Sequence, residues 1–190
     1  MLFDLNALND DEDNEKAYSH EDKCAKYISE QINSDLAFQF GDIEEGRSYH
    51  FDTASKWSLH DIVVYCISQA GPSKVYFATY AIKEYQARLL TSLLSKGAIT
   101  ELHALLDYRN EVLAPDAYQL LQENCKTFGV IRTHAKLVVI IGQKKSIIIA
   151  GSANFTTNTR ADIGVVTCNR GVAEYRRDWI IKNIQDGIIK

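Results

Sequence analysis

Two Val/Ile-rich runs without alternation, residues 134–141 and 146–150, stand either side of Gly142-Gln143-Lys144-Lys145. Such runs suit strands covered on both faces, and the short polar break reads as a hairpin turn. A chain that carries them must also supply helices for both sides of a sheet. Upstream, strand-like segments at 74–80, 100–107 and 129–132 alternate with helix-like segments at 83–95 and 116–125. That βαβαβ order argues for parallel strands. An earlier helix opens at Ser58, with Asp61 completing an approximate capping box, and ends at Gly71-Pro72. Residues 23–33 have helical spacing, and 36–49 read as strand and turn. After the hairpin come a strand at 163–168 and a helix at 172–184, with Tyr175, Trp179, Ile180 and Ile184 as its apolar stripe. The expected fold class is α/β: a mixed, mostly parallel β-sheet flanked by helices on both faces.

A length of 190 residues suffices for one domain with a real core. We expect an acidic flexible N-terminal segment over 1–22 and a single domain over 23–190. The net charge of −4 hides a gradient: −7 over residues 1–22, −4 over 23–125 and +7 over 126–190. A polyanionic partner would prefer the last third, and the acidic segment could compete with nucleic acid for that surface. Cysteines at 24, 66, 125 and 168 form no CxxC pair and no cluster with His, so neither zinc nor a disulfide framework is expected. They read as core residues in a reducing compartment. With no apolar run of membrane-spanning length and no basic-then-apolar start, a cytoplasmic location is expected.

The chemistry-bearing residues sit at the outer ends of the hairpin. His134 and Lys136 precede or open its first strand, and Ser152 and Asn154 follow its second within Gly151-Ser152-Ala153-Asn154. Residues two apart on a strand share a face. A three- or five-residue loop would bring all four side chains to one face; a plain four-residue loop would split them unless a bulge intervenes. An imidazole, an ammonium, a hydroxyl and an amide gathered at one place would satisfy an anion with several acceptor oxygens.

These residues resemble the signature of the phospholipase D superfamily: HxK, then four residues and Asp, then GSxN. Here it stands as His134-Ala135-Lys136, Leu137 to Ile140, Ile141 in place of the Asp, then Gly151-Ser152-Ala153-Asn154. The resemblance covers residues 74–186, with one catalytic half per chain. It implies His134 as nucleophile or general acid, with Lys136, Ser152 and Asn154 holding the nonbridging oxygens. Asp162, eight residues past Asn154, matches the acid that orients the histidine. A single copy of the signature implies a homodimer that supplies His134 twice, with no metal or cofactor. It implies a metal-independent phosphodiesterase, a nuclease acting on DNA or RNA with no membrane involved. Arg132, Lys144, Lys145 and Arg160 are candidate phosphate contacts, together with Arg170, Arg176 and Arg177, and Tyr80 could line the groove. Two alternatives remain: a nucleic-acid-binding module of the same fold that does not cut, and a phospholipid hydrolase or phosphatidyl transferase.

Overall fold

The structure is a computed structural model that describes residues 34–53, 56–157 and 161–187. The acidic segment 1–22 and the helix expected at 23–33 lie outside the described residues. Helix α1, described over 34–40, leads through a loop to strand β1 (Ser48–Asp52). There follow α2 (Leu59–Ala70), β2 (Ser73–Thr79), α3 (Glu84–Ser95), β3 (Ile99–Asp107), the single turn α4 (Asn110–Leu113) and α5 (Pro115–Asn124). The second half holds β4 (Thr127–Ile131), β5 (Lys136–Gly142), β6 (Ser146–Gly151), β7 (Ile163–Cys168) and α6 (Arg170–Asp186).

Local chemistry explains most of these boundaries. The backbone N–H of Ser58 donates to the Asp61 carboxylate at 2.8 Å, closing the first turn of α2. That helix stops at Gly71, whose φ of 76° suits a residue without a Cβ. Pro115 opens α5, where its missing N–H costs nothing. Asn169 caps α6 by accepting from Val172 N at 3.0 Å.

The seven strands form one sheet in the order β1-β7-β6-β5-β2-β3-β4. Only β2–β3 and β3–β4 pair in parallel; β2–β5, β5–β6, β6–β7 and β1–β7 are antiparallel. The sheet is mixed, as the sequence suggests, but the parallel share is the minority. The reason is that every connection after β4 is too short to carry a crossover helix, so each later strand must reverse. The expected strand and turn at 36–49 is also corrected. Leu36, Phe40 and Ile43 are buried from the end of α1 and the loop after it, and only the last residues are extended, as the start of β1.

Both faces of the sheet are covered. On one, Val75, Phe77, Leu102, Ala104, Val138, Ile140, Ile147 and Ile149 pack with buried residues of α2, α3 and α5. On the other, Tyr76, Ala78, Leu105, Leu137, Val139 and Ile148 meet Ala173 and Ile180 of α6. Strict alternation within β5 and β6 therefore serves two cores, which is why their sequence shows no polar face. Helix α6 binds the sheet by a narrower stripe than its sequence implies. Ala173 and Ile180 are fully buried, whereas Tyr175 is 68 % exposed and Trp179 36 %. Cys66 and Cys168 are buried and Cys125 partly so, all as free thiols. Burial pushes Cys125 up to about 12 and, with Glu45 beside it, Cys168 up to about 11, so neither is a thiolate at neutral pH. Among the described residues no helix is long and apolar enough to cross a membrane.

Candidate active site

One edge of the sheet collects the polar residues. Pairings of Thr79 with Lys136, Asp107 with Ile131 and Gly151 with Gly164 show that β2, β3, β4 and β6 end where β5 and β7 begin. This edge is the carboxyl end of the parallel strands, the place where open α/β sheets leave a crevice for ligands.

The hairpin register taken alone would scatter the site. Ile141 pairs with Ser146, leaving a four-residue turn. Extending that ladder would set Ser152 across from Ala135 and His134 across from Ala153, with the four polar side chains split between faces. The structure escapes this because the chain leaves the ladder at both ends. His134 precedes β5, and β6 stops at Gly151. A Cβ on Gly151 would lie 2.4 Å from Ile163 O, so this close exit requires glycine. Residues 152–155 then pass the start of β5 to reach the loop after β2. There Phe155 N donates to Ala81 O at 3.1 Å and Lys83 N to Phe155 O at 3.0 Å. The fully buried Phe155 ring anchors the crossing, 5.1 Å from Phe77.

The result is two polar groups at one sheet edge, His134 and Lys136 against Tyr80, and Ser152 with Asp162. Lys136 Nζ donates to His134 O at 3.1 Å and lies 3.4 Å from His134 Nδ1. The exposed His134 ring stands against the Tyr80 ring at 4.7 Å, and Lys136 Nζ is 5.3 Å from the same ring. Ser152 Oγ donates to the Asp162 carboxylate at 2.7 Å and accepts from Ile163 N at 3.1 Å. Asp162 is fixed through its backbone, donating to Thr53 Oγ1 at 2.9 Å and accepting from Thr53 N at 2.8 Å. Partial burial lowers the Lys136 pKa, and the negative charge of Asp162 pulls it back up. Asn154 lies on the crossing segment, half-buried, and its Oδ1 is buried without a hydrogen-bond partner.

The candidate phosphate contacts divide. Arg132 is exposed two residues before His134. Arg160 lies outside the described residues. Lys144 and Lys145 occupy the hairpin turn, separated from His134 by the whole of β5, itself roughly 20 Å long at strand rise. Lys145 is paired there with Asp42. They are not part of the site, because a hairpin carries its turn and its open ends to opposite edges of the sheet. Arg170 also sits at the turn edge, 3.0 Å from Glu174, and Arg177 pairs with Asp178 on α6.

Two residues at the site edge escape a motif search. Asp107, fully buried at the end of β3, accepts from the Arg109 side chain at 2.7 Å, Arg109 N at 3.2 Å and Thr133 N at 3.0 Å. Burial alone would raise its pKa; these donors overcome that and hold it below the usual value. Asp107 thus ties the end of β3 to the loop that presents His134. Arg109 lies over the Tyr80 ring at 4.0 Å and donates to the Tyr80 hydroxyl. Their only sequence signal is position: charged residues just after an apolar parallel strand. Among the described residues no group of three or more His, Cys, Asp or Glu side chains is arranged to hold a metal ion.

Comparison with known proteins supports the fold. No family model matches the sequence, and no curated protein matches it. Solved structures do. Nuc from Salmonella typhimurium, a phospholipase D family member, aligns with a TM-score of 0.51 at 16 % identity over 74 % of this chain and 92 % of its own. NucT from Helicobacter pylori aligns with a TM-score of 0.50 at 18 % identity over 73 % of this chain and 96 % of its own. A polyphosphate kinase from Porphyromonas gingivalis gives 0.52 at 15 % identity over 75 % of this chain, but only 26 % of that larger protein. The chain has the phospholipase D fold, as the His134–Asn154 motifs imply.

Proposed function

We propose that this protein is a metal-independent phosphodiesterase, most simply a nuclease, that works through a phosphohistidine at a homodimer interface. The observation that carries the reading is the convergence of His134, Lys136, Ser152 and Asp162 at one sheet edge, with Asn154 on the segment that crosses it. Lys136 and the Asn154 amide NH2 supply donors for nonbridging phosphate oxygens, and the Ser152 hydroxyl adds one when its hydrogen turns from Asp162 to the ligand. The neutral imidazole of His134 attacks phosphorus as the bond to the leaving oxygen breaks. That oxygen takes its proton from the imidazolium of a second copy's histidine. Water, giving its proton to that imidazole, then attacks phosphorus and releases the first His134. Asp162 acts through the Ser152 hydroxyl and the field at Lys136. Nucleic acid is favoured as substrate by the cations gathered at this edge, Lys136 and the exposed Arg132 with the partly exposed Arg109 beside Tyr80.

Ile141 stands where the signature has Asp. It lies five residues beyond Lys136, next to the hairpin turn, and packs with the cluster under α6. Its side chain is therefore remote from the phosphate-binding groups, and the substitution removes none of them. A binding module that holds nucleic acid without cutting it is the second reading, favoured by that same substitution. Purified protein incubated with single- and double-stranded DNA and RNA in EDTA decides between them. Cleavage that disappears in His134→Ala supports the enzyme. Intact substrates across pH 5–8, with salt-dependent binding that His134→Ala leaves unchanged, would establish the binding module instead.

A further inference from the structure

Beside His134 the same sheet edge carries a second cation built to a different plan. Arg109 follows β3, and its guanidinium carbon lies 4.0 Å from the centre of the Tyr80 ring and 5.6 Å from that of Tyr108. Tyr80 touches both this guanidinium and the His134 ring, so a single aromatic ring separates the cation from the imidazole. The counter-ion Asp107 is wholly buried, whereas the Arg109 side chain is 39 % exposed. The carboxylate is hidden and the positive group remains at the surface. Of the five guanidinium N–H groups, one meets Asp107 and one the Tyr80 hydroxyl, leaving three for a ligand. Tyr108 beside it is 40 % exposed.

The loop bearing these side chains is held rigidly. Tyr108 N donates to Ile131 O at 3.1 Å, continuing the β3–β4 edge. Asn110, nearly fully buried, donates to Tyr80 O at 3.0 Å and Asp107 O at 2.8 Å and accepts from Ile82 N at 3.1 Å. Asn110 thereby ties the loops after β2 and β3 to each other. A rigid, outward-facing guanidinium with an exposed aromatic ring next to it matches what a nucleotide offers: a phosphate for the fork and a flat base for the ring.

We propose that Arg109 and Tyr108 form a subsite for the nucleotide adjoining the scissile phosphate. Arg109 holds that nucleotide's phosphate and Tyr108 stacks on its base. The base must be unpaired, because duplex stacking and pairing leave no base face for a protein ring to cover. This rests on the nucleic-acid reading of the site and deepens it to a single-stranded or locally opened substrate.

The test is fluorescence anisotropy with a labelled 12-residue oligothymidylate and a blunt duplex of the same length. Full-length protein carries His134→Asn, so binding is read apart from cleavage. The single strand is expected to bind more tightly than the duplex. Tyr108→Ala is expected to weaken single-strand binding about tenfold while changing duplex binding less than about twofold. Arg109→Gln should lower the slope of log affinity against log salt by about 0.7 on the single strand. Tyr108 is exposed, so its variant remains decisive if Arg109→Gln, which strands a buried carboxylate, fails to fold. Equal losses on both substrates, or none with Tyr108→Ala, overturn the subsite while leaving cleavage by the unmodified enzyme intact. Failure of every polynucleotide to bind overturns the subsite together with the nucleic-acid reading.

Discussion

The two edges of this sheet both carry cationic side chains and treat them in opposite ways. At the hairpin-turn edge, Lys145 meets Asp42, Arg170 meets Glu174, and Lys74 and Lys126 share Glu101 at 3.0 Å each. Their carboxylates are solvent-accessible, and charge is cancelled at the surface. At the other edge, Lys136 leans on a histidine carbonyl and a tyrosine ring, Arg132 makes no ion pair among the described residues, and the acid serving Arg109 is buried. Charge there is positioned but left available. The difference separates a solvated polar surface from a site, and it cannot be read from counts of Lys and Arg.

The largest test of this contrast is catalytic. His134→Ala should lower cleavage by at least about a thousandfold, as loss of a nucleophile does, while the double change Lys144→Ala and Lys145→Ala should leave the rate within about twofold. Substantial loss from the lysine pair would show that the turn edge contributes to the site after all.

Next is stability. Asp107→Ala strands the Thr133 and Arg109 N–H groups and should lower the free energy of unfolding by about 2–4 kcal/mol. Glu101→Ala, which breaks the pairs with Lys74 and Lys126 at the surface, should cost less than about 1 kcal/mol. Urea denaturation of both variants measures the difference, and comparable values would erase the distinction between the two carboxylates.

Acid should act at neither edge first but on two buried histidines. His60 and His103 both have pKa values lowered by burial, against the pull of Asp61 and Glu101 respectively. The unfolded chain therefore binds protons that the native state resists. Their contribution is complete above the unfolded value of about 6.5 and is lost as pH falls below it towards the folded values. Thermal melts from pH 7.5 to 5 should show a falling midpoint, flattened in His103→Asn.

The smallest expected effect distinguishes Asp162 from the turn-edge acids. Lys136 must be cationic to hold phosphate, and its pKa is already below that of an ordinary lysine. The alkaline limb of the kcat/KM profile should fall earlier than a free lysine would allow. Asp162→Asn removes the charge that raises Lys136 and should move that limb further down, whereas Asp42→Asn should leave it in place.

Much of the fold was legible from residue pattern. The strand at Ile163–Cys168, the helix opened by Ser58 and the hairpin all stand where periodicity and turn chemistry place them. Direction was less so, because an apolar strand reads alike whichever way its neighbour runs. Trp179 and Tyr175 misled because a large ring on a helix counts towards periodicity whether or not a neighbour reaches it.

By itself the sequence determined which side chains could do chemistry, His134, Lys136, Ser152, Asn154 and Asp162, and that they lie at strand ends, since local propensity and motif spacing are properties of the chain. Only the tertiary structure decided that they gather at one sheet edge. An even-numbered turn would have set them on alternate faces, and the departure of residues 152–155 from the ladder towards Ala81 and Lys83 frees them from that alternation. It also decided that Lys144 and Lys145 are a strand's length away, and that Asp107 and Arg109 are adjacent to His134. Those outcomes depend on hydrogen bonds and packing between segments far apart in sequence, and no local pattern encodes them.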